Sequence, residues 1–181
     1  MGAMPASARG LTLPELNAMD EEAFVDSLGA LFEHSPWVAR RAWRARPFGG
    51  IDELHAALRS AMRSAPPDQH VELIRAHPEL AGRQARAGEL TEASTREQSG
   101  AGLDRLSAAE VSDLEALNRA YRERFGLPLI VCVREHTPQS ILVWGRERLE
   151  RGRDAEIDTA LGEIAKIARL RLADLVREGP A

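Results

Sequence analysis

"LSAAEVSDLEALNRAYRERFG", residues 106–126, decides the fold class. Ser107 stands where a helix needs an N-cap, and Glu110 follows three residues later. At that spacing the two side chains each satisfy one of the unpaired backbone N–H groups at the helix start. Leu106 and Val111 are placed to staple the entry of the chain. Leu114, Leu117, Tyr121 and Phe125 then recur at three- and four-residue intervals and draw one apolar helical face. Gly126 is a natural stop.

The same pattern extends in both directions. Upstream, Asp20 is a plausible cap for a face drawn by Phe24, Leu28, Leu31 and Phe32. Pro36 restarts a helix at the first helical position, where its missing N–H is harmless. That segment carries Trp37 and Trp43 and stops at Pro47. Leu54, Leu58, Ala61 and Met62 mark another face, broken by Pro66-Pro67, and a short helix is predicted from Asp68 to Ala76. Downstream, "LPLIVCV" (127–133) is the one run with strand character. A single run has no partner for a sheet, so a buried extended connector is predicted. Thr137-Pro138 opens a helix through Leu149, and Asp154 is expected to cap a long last one. The reading is an all-α, single-domain bundle of roughly eight to nine helices over 11–178, with 1–10 expected to be disordered.

Composition excludes several function classes. Among 181 residues the net charge is −4 and aromatic residues make up 4%, so neither a basic field nor a stacking platform for nucleic acid is present. No apolar run of membrane-spanning length occurs. Cys132 is the single cysteine, which excludes an internal disulfide framework. The start lacks a signal-peptide core, so a cytoplasmic location is expected. The five histidines, His34, His55, His70, His77 and His136, form no HExxH, and Cys132 has no CxxC mate. No metal site is predicted.

Three places could carry chemistry. In "STREQSGAGLD" (94–104), Ser94 and Glu97 have capping-box spacing, yet Gly100 and Gly102 weaken the next turn. Either the segment is a structural turn, or Glu97 and its neighbours are held for chemistry, with the glycines admitting a helix or ligand close to the backbone. His77 precedes Pro78, which biases it away from helical geometry and off the end of its helix. An imidazole there serves as a general acid or base, or as a partner for the helix dipole. Along "DAEIDTALGEIAKIARLRLADLV", the residues Ile157, Leu161, Ile164, Ala168, Leu172 and Leu175 share a stripe, and Arg171 falls inside it. Lys166, the only lysine, projects elsewhere. A guanidinium in that stripe must meet a carboxylate or a ligand anion, or else snorkel outward.

Four stretches together, "HPELAG" (77–82), "LTEASTREQSGAGL" (90–103), "FGLPLIVC" (125–132) and "EIAKIARLRL" (163–172), resemble the OHCU decarboxylases in sequence and in order, as does the upstream "WRARPFGGIDEL" (43–54). Those enzymes act on 2-oxo-4-hydroxy-4-carboxy-5-ureidoimidazoline in urate breakdown. The resemblance implies an all-helical homodimer, without metal or organic cofactor, that releases CO2 and forms (S)-allantoin. It places the family's proton-handling histidine at His77, its partner glutamate at Glu97 and its active-site arginine at Arg171. Substrate contacts fall on Pro78, Ser94, Gln98 and the run Leu129, Ile130, Val131, Cys132 and Val133. The chain departs from the family's usual phenylalanines at Leu127 and Leu129. Two other readings stand beside this one: a cofactor-free lyase or hydrolase on a related ureide, and a non-catalytic helical binding module.

Overall fold

A computed structural model describes residues 10–177, so the expectation for the first ten residues lies outside the described residues apart from Gly10. The described residues up to Pro66, together with those from Ala165 on, make one compact unit, and Pro67–Ile164 make a second.

The first unit begins with β1 (Leu11–Thr12), which pairs in parallel with β2 (Val176–Arg177) in a two-residue bridge that no sequence pattern announces. Thr12 also caps α1 (Leu13–Ala18) through a capping box with Glu15. Asp20 caps α2 (Glu21–Leu28) by accepting from the Ala23 N–H, as its position predicts. A single 3-10 turn, Gly29–Leu31, follows. α3 (Trp37–Ala42) starts one residue later than expected, with Pro36 as its N-cap. α4 (Ile51–Arg63) buries Leu54, Leu58, Ala61 and Met62, the face read from the sequence. α3 packs on α2 and on α4. Phe24, Leu28, Phe32, Val38, Leu54, Leu58, Ala168 and Leu172 are all buried in this unit.

The second unit begins with α5 (Pro67–Ala76), followed by α6 (Arg83–Ala87) and α7 (Glu92–Gly100). α8 (Ala108–Phe125) realises the opening stretch: Ser107 and Glu110 form the capping box, and Gly126 closes the helix at φ +67°. α9 (Pro138–Leu149) has the expected bounds and packs on α8. Gly145 allows that packing, because a Cβ there would lie 2.6 Å from Leu117 Cδ2 and 3.0 Å from Leu129 Cδ2. Between α8 and α9 the run Leu127–Cys132 is neither helix nor strand, and all of it but the half-buried Pro128 is buried, matching the predicted connector. A 3-10 turn, Val133–Glu135, ends it. α10 (Arg153–Leu175), whose residues from Ala165 on belong to the first unit, starts two residues early, so Asp154 lies in its first turn rather than at its cap. With ten α-helices among the described residues, the fold is all-α. The uncounted helices, α1 and α6, are six and five residues long, too short to draw a periodic face.

Candidate active site

α5 ends just before His77, as the following proline predicts. The His77 side chain is buried, with Nδ1 at 2.9 Å from the Leu73 carbonyl one turn back. A carbonyl can only accept, so Nδ1 carries a proton in either charge state, and Nε2 is the nitrogen that exchanges one. Pro78 is half-buried beside it.

The loop after Pro78 is fastened from two helices. Gln98 on α7 accepts from the Ala81 N–H at 2.9 Å and donates to the Glu79 carbonyl at 3.4 Å. Asn118 on α8 donates to the Leu80 carbonyl at 3.0 Å. Arg122 pairs with the Glu79 carboxylate. These contacts hold Ala81 at φ +47°, a left-handed conformation unfavourable for a residue with a Cβ. The amide of Gln98, expected on substrate, is thus engaged with the backbone that follows His77.

α7 corrects the reading of its own start. Its N-cap is Thr91, whose hydroxyl accepts from the Ser94 N–H, so Ser94 and Glu97 do not form the capping box suggested by their spacing. Starting three residues earlier puts Ser94, Glu97 and Gln98 on one face, at i, i+3 and i+4. Ser94 and Gln98 are buried and Glu97 is half-buried. No other part of the described chain approaches these glycines closely. A Cβ on Gly100 would meet nothing within 4 Å, and one on Gly102 only a distant arginine tip. Gly102, at φ +79°, ends the helix instead: its N–H donates to the Ser99 carbonyl and the Leu103 N–H donates to the Gln98 carbonyl. That is a Schellman stop, and glycine favours it because it carries no Cβ. α7 also touches the turn Val133–Glu135. Within this unit the structure therefore brings the His77 loop, the Glu97 face and the end of the connector onto adjoining elements.

Leu129, Ile130, Val131, Cys132 and Val133 are all buried. The N–H of Cys132, one of the expected substrate contacts, donates to Glu163 at 2.8 Å. The Ile130 carbonyl accepts from Arg148 at 2.7 Å. Arg148 and Glu156, 0% and 1% exposed, form a buried ion pair, and the Arg148 guanidinium stacks 4.5 Å from the Trp144 ring. None of Arg148, Glu156 and Glu163 is among the candidates named from the sequence, although their spacing carries a signal. Ile141, Gly145 and Arg148 share one face of α9 at i, i+4 and i+7, and Glu156, Ala160 and Glu163 repeat that spacing on α10. A pocket of about 340 Å³ beside Gln98, with Leu90, Leu103 and Val111 in its walls, is mostly apolar and includes none of His77, Ser94 or Glu97.

Arg171 belongs to the other unit. It is buried, not snorkelling, and meets a carboxylate, the first outcome its place in the stripe called for: Nη2 lies 3.0 Å from Glu33 Oε1, with both residues under a tenth exposed. Nη1 reaches the carbonyls of Leu31 and Ala30 at 3.4 and 3.5 Å, at the end of the 3-10 turn. Glu33 sits in a non-periodic turn, where no spacing rule could have singled it out. Among the described residues no cluster of three or more His, Cys, Asp or Glu is placed to hold a metal ion.

Residues 17–173 match the OHCU decarboxylase family. The chain belongs to that family. It is 42% identical over 164 residues to the 2-oxo-4-hydroxy-4-carboxy-5-ureidoimidazoline decarboxylase of Haloferax volcanii, covering 91% of this chain and 95% of that one. It is 38% identical over 167 residues to the uric acid degradation bifunctional protein PucL of Bacillus subtilis, covering 92% of this chain and 33% of the longer relative. Among solved structures it resembles an (S)-allantoin synthase, with a TM-score of 0.73 and 27% identity over 92% of this chain and 54% of that one. Membership in the OHCU decarboxylase family makes the chain a carboxy-lyase, and no helix among the described residues is long and apolar enough to cross a membrane.

Proposed function

We propose that this carboxy-lyase removes CO2 from 2-oxo-4-hydroxy-4-carboxy-5-ureidoimidazoline to give (S)-allantoin in urate degradation, with His77, Glu97 and Arg171 as its working residues. The observation that supports this most is the setting of His77: a buried imidazole, fixed through Nδ1, on a loop tied by Gln98 to the helix face that carries Glu97.

Breaking the bond to CO2 leaves an electron pair on the ring carbon. The conjugated C=N and C=O bonds of the substrate take up that pair, so the protein has to orient the carboxylate, stabilise the delocalised anion and deliver one proton to one face. Protonated His77 gives its Nε2 proton to the new centre and becomes the neutral Nδ1–H tautomer. The Nδ1–H to Leu73 bond is the same before and after, so no ring reorientation is needed. Glu97 favours the charged imidazole by opposite-charge proximity. Arg171 supplies the fixed positive charge for the anionic substrate, and backbone groups of the run 129–133 meet its ring. Pro78 and Ser94 complete the contacts. The enzyme works as a cytoplasmic homodimer without metal or organic cofactor.

The test generates the unstable substrate in situ from urate with a urate-oxidising and a hydrolysing enzyme, and follows allantoin by circular dichroism. The protein is expected to speed allantoin formation and to yield one enantiomer. His77→Asn should slow turnover by about 10²–10⁴-fold, the usual worth of general acid–base action. A folded His77→Asn protein with near-full turnover would remove histidine from the mechanism, and an unchanged racemic product would reject the activity. Light scattering checks the dimer.

A further inference from the structure

Among the described residues no strand pairs with the connector between α8 and α9, so its backbone groups depend on side chains for partners. Two buried charged residues supply them on either side of Val131. Arg148, held to Glu156 through Nε and Nη2 and stacked on Trp144, gives its Nη1 to the Ile130 carbonyl. Glu163, on α10, receives the Cys132 N–H.

Both peptide bonds of Val131 are trans, since the one cis bond in the described chain is Arg46-Pro47. In a planar trans peptide the N–H and C=O point in opposite directions. Aiming the Ile130 carbonyl at Arg148 turns the Val131 N–H away from Arg148. Aiming the Cys132 N–H at Glu163 turns the Val131 carbonyl away from Glu163. A single residue then has both its donor and its acceptor set by charged groups that are themselves buried.

We propose that Arg148 and Glu163 are positioning residues for substrate recognition. They fix Val131 so that its N–H and C=O meet the complementary C=O and N–H of a ureide ring or side arm. This rests on the functional reading above, in which the run 129–133 contacts the substrate. The carboxylate of Glu163 does not touch the ligand; it acts through the Val131–Cys132 peptide plane. Fixed peptide groups hold ground state and transition state alike, so their loss raises KM and leaves kcat nearly unchanged.

The experiment compares Glu163→Leu, which removes the acceptor at similar volume, with Glu163→Gln, which keeps an oxygen for the Cys132 N–H. Glu163→Leu is expected to raise KM about tenfold, with kcat within about threefold and an unchanged pH profile. Glu163→Gln is expected to restore KM to within about threefold of wild type. In the wild-type protein, (S)-allantoin should shift both the amide ¹⁵N and the carbonyl ¹³C of Val131, and the carbonyl response should vanish in Glu163→Leu. A folded Glu163→Leu protein with wild-type KM overturns the proposal, as does a Glu163→Gln protein as impaired as the leucine variant. Should Glu163→Leu fail to fold, the wild-type titration decides: Val131 resonances indifferent to allantoin in an active enzyme refute the proposal. A wild-type protein that neither turns over the ureidoimidazoline nor binds allantoin refutes the functional reading, and this inference with it.

Discussion

Substitution of Glu156 by leucine would leave Arg148 charged, unpaired and completely buried. The pair is 0% and 1% exposed, with the arginine held through two nitrogens, so water cannot take over from the lost carboxylate. Removing one partner of such a pair costs about 3–5 kcal/mol. For a chain of this length about 1 kcal/mol moves Tm by 2–4 °C, so Glu156→Leu should melt roughly 6–20 °C below wild type. Arg148→Met does comparable harm and also strips the Ile130 carbonyl of its donor, worth about 1–3 kcal/mol more. The double variant removes both charges together. Only the orphaned carbonyl remains, so it should sit about 1–3 kcal/mol below wild type, above either single variant. Urea unfolding followed by circular dichroism gives the four free energies, and a constant m-value shows that the unfolded state is unaltered. Additive single effects, or a Glu156→Leu protein within about 1 kcal/mol of wild type, would refute the reasoning, because Arg148 would then be solvated or repacked at little cost.

Other perturbations probe separate links. Tyr121, the single tyrosine, has its hydroxyl pushed up by burial first, with the Arg148 charge opposing and the Glu156 charge adding, so absorbance at tyrosinate wavelengths should appear only as the protein unfolds in alkali. Because the folded value is raised, the associated stability is intact below the unfolded value of about 10 and falls as pH climbs past it; a tyrosinate signal in folded protein near that pH would contradict the burial. Gly145→Ala gains about 1 kcal/mol of helix propensity and loses about 1–3 to overpacking against Leu117 and Leu129, so a net loss of about 1 kcal/mol is expected in urea unfolding, and a gain would show that both leucines step aside. Thr91→Ala should loosen α7 by about 1 kcal/mol in native-state hydrogen exchange, whereas Ser94→Ala leaves the cap in place; the reverse order would mean the cap is misassigned.

Most helices were legible in the sequence because each carries its own punctuation. α8 shows a box, a stripe and a glycine stop, and it folds with those bounds. α7 was harder because Thr91 and Ser94 are both acceptable caps three residues apart. Local chemistry favoured the one with a glutamate three residues on. Burial decided for the other: a start at Glu92 turns Ser94 and Gln98 into the unit, where Gln98 finds the backbone of Glu79 and Ala81. Arg171 was legible as a charge inside an apolar stripe, and the same test applied to α9 would have found Arg148. Glu33 was not legible at all, since its partner lies well over a hundred residues away and its own segment has no period.

The buried polar side chains follow one rule that the helices alone do not explain. A helix satisfies its own backbone, whereas a loop or connector in an all-α protein has no ladder to join, and its buried N–H and C=O groups need side chains. Gln98 and Asn118 serve the loop 79–81, and Arg148 and Glu163 serve the connector. Arg171 reaches the carbonyls at the end of the turn Gly29–Leu31. Neutral amides suffice at the partly exposed loop. The connector is buried almost throughout and takes charged partners, whose hydrogen bonds are about twice as strong. Function and architecture thus share residues: the proposed catalytic arginine is also a backbone partner in its own unit. Loss of turnover in an Arg171 variant bears on chemistry only when the turn Gly29–Leu31 keeps its wild-type hydrogen-exchange protection. A variant that loses both has lost the local fold first.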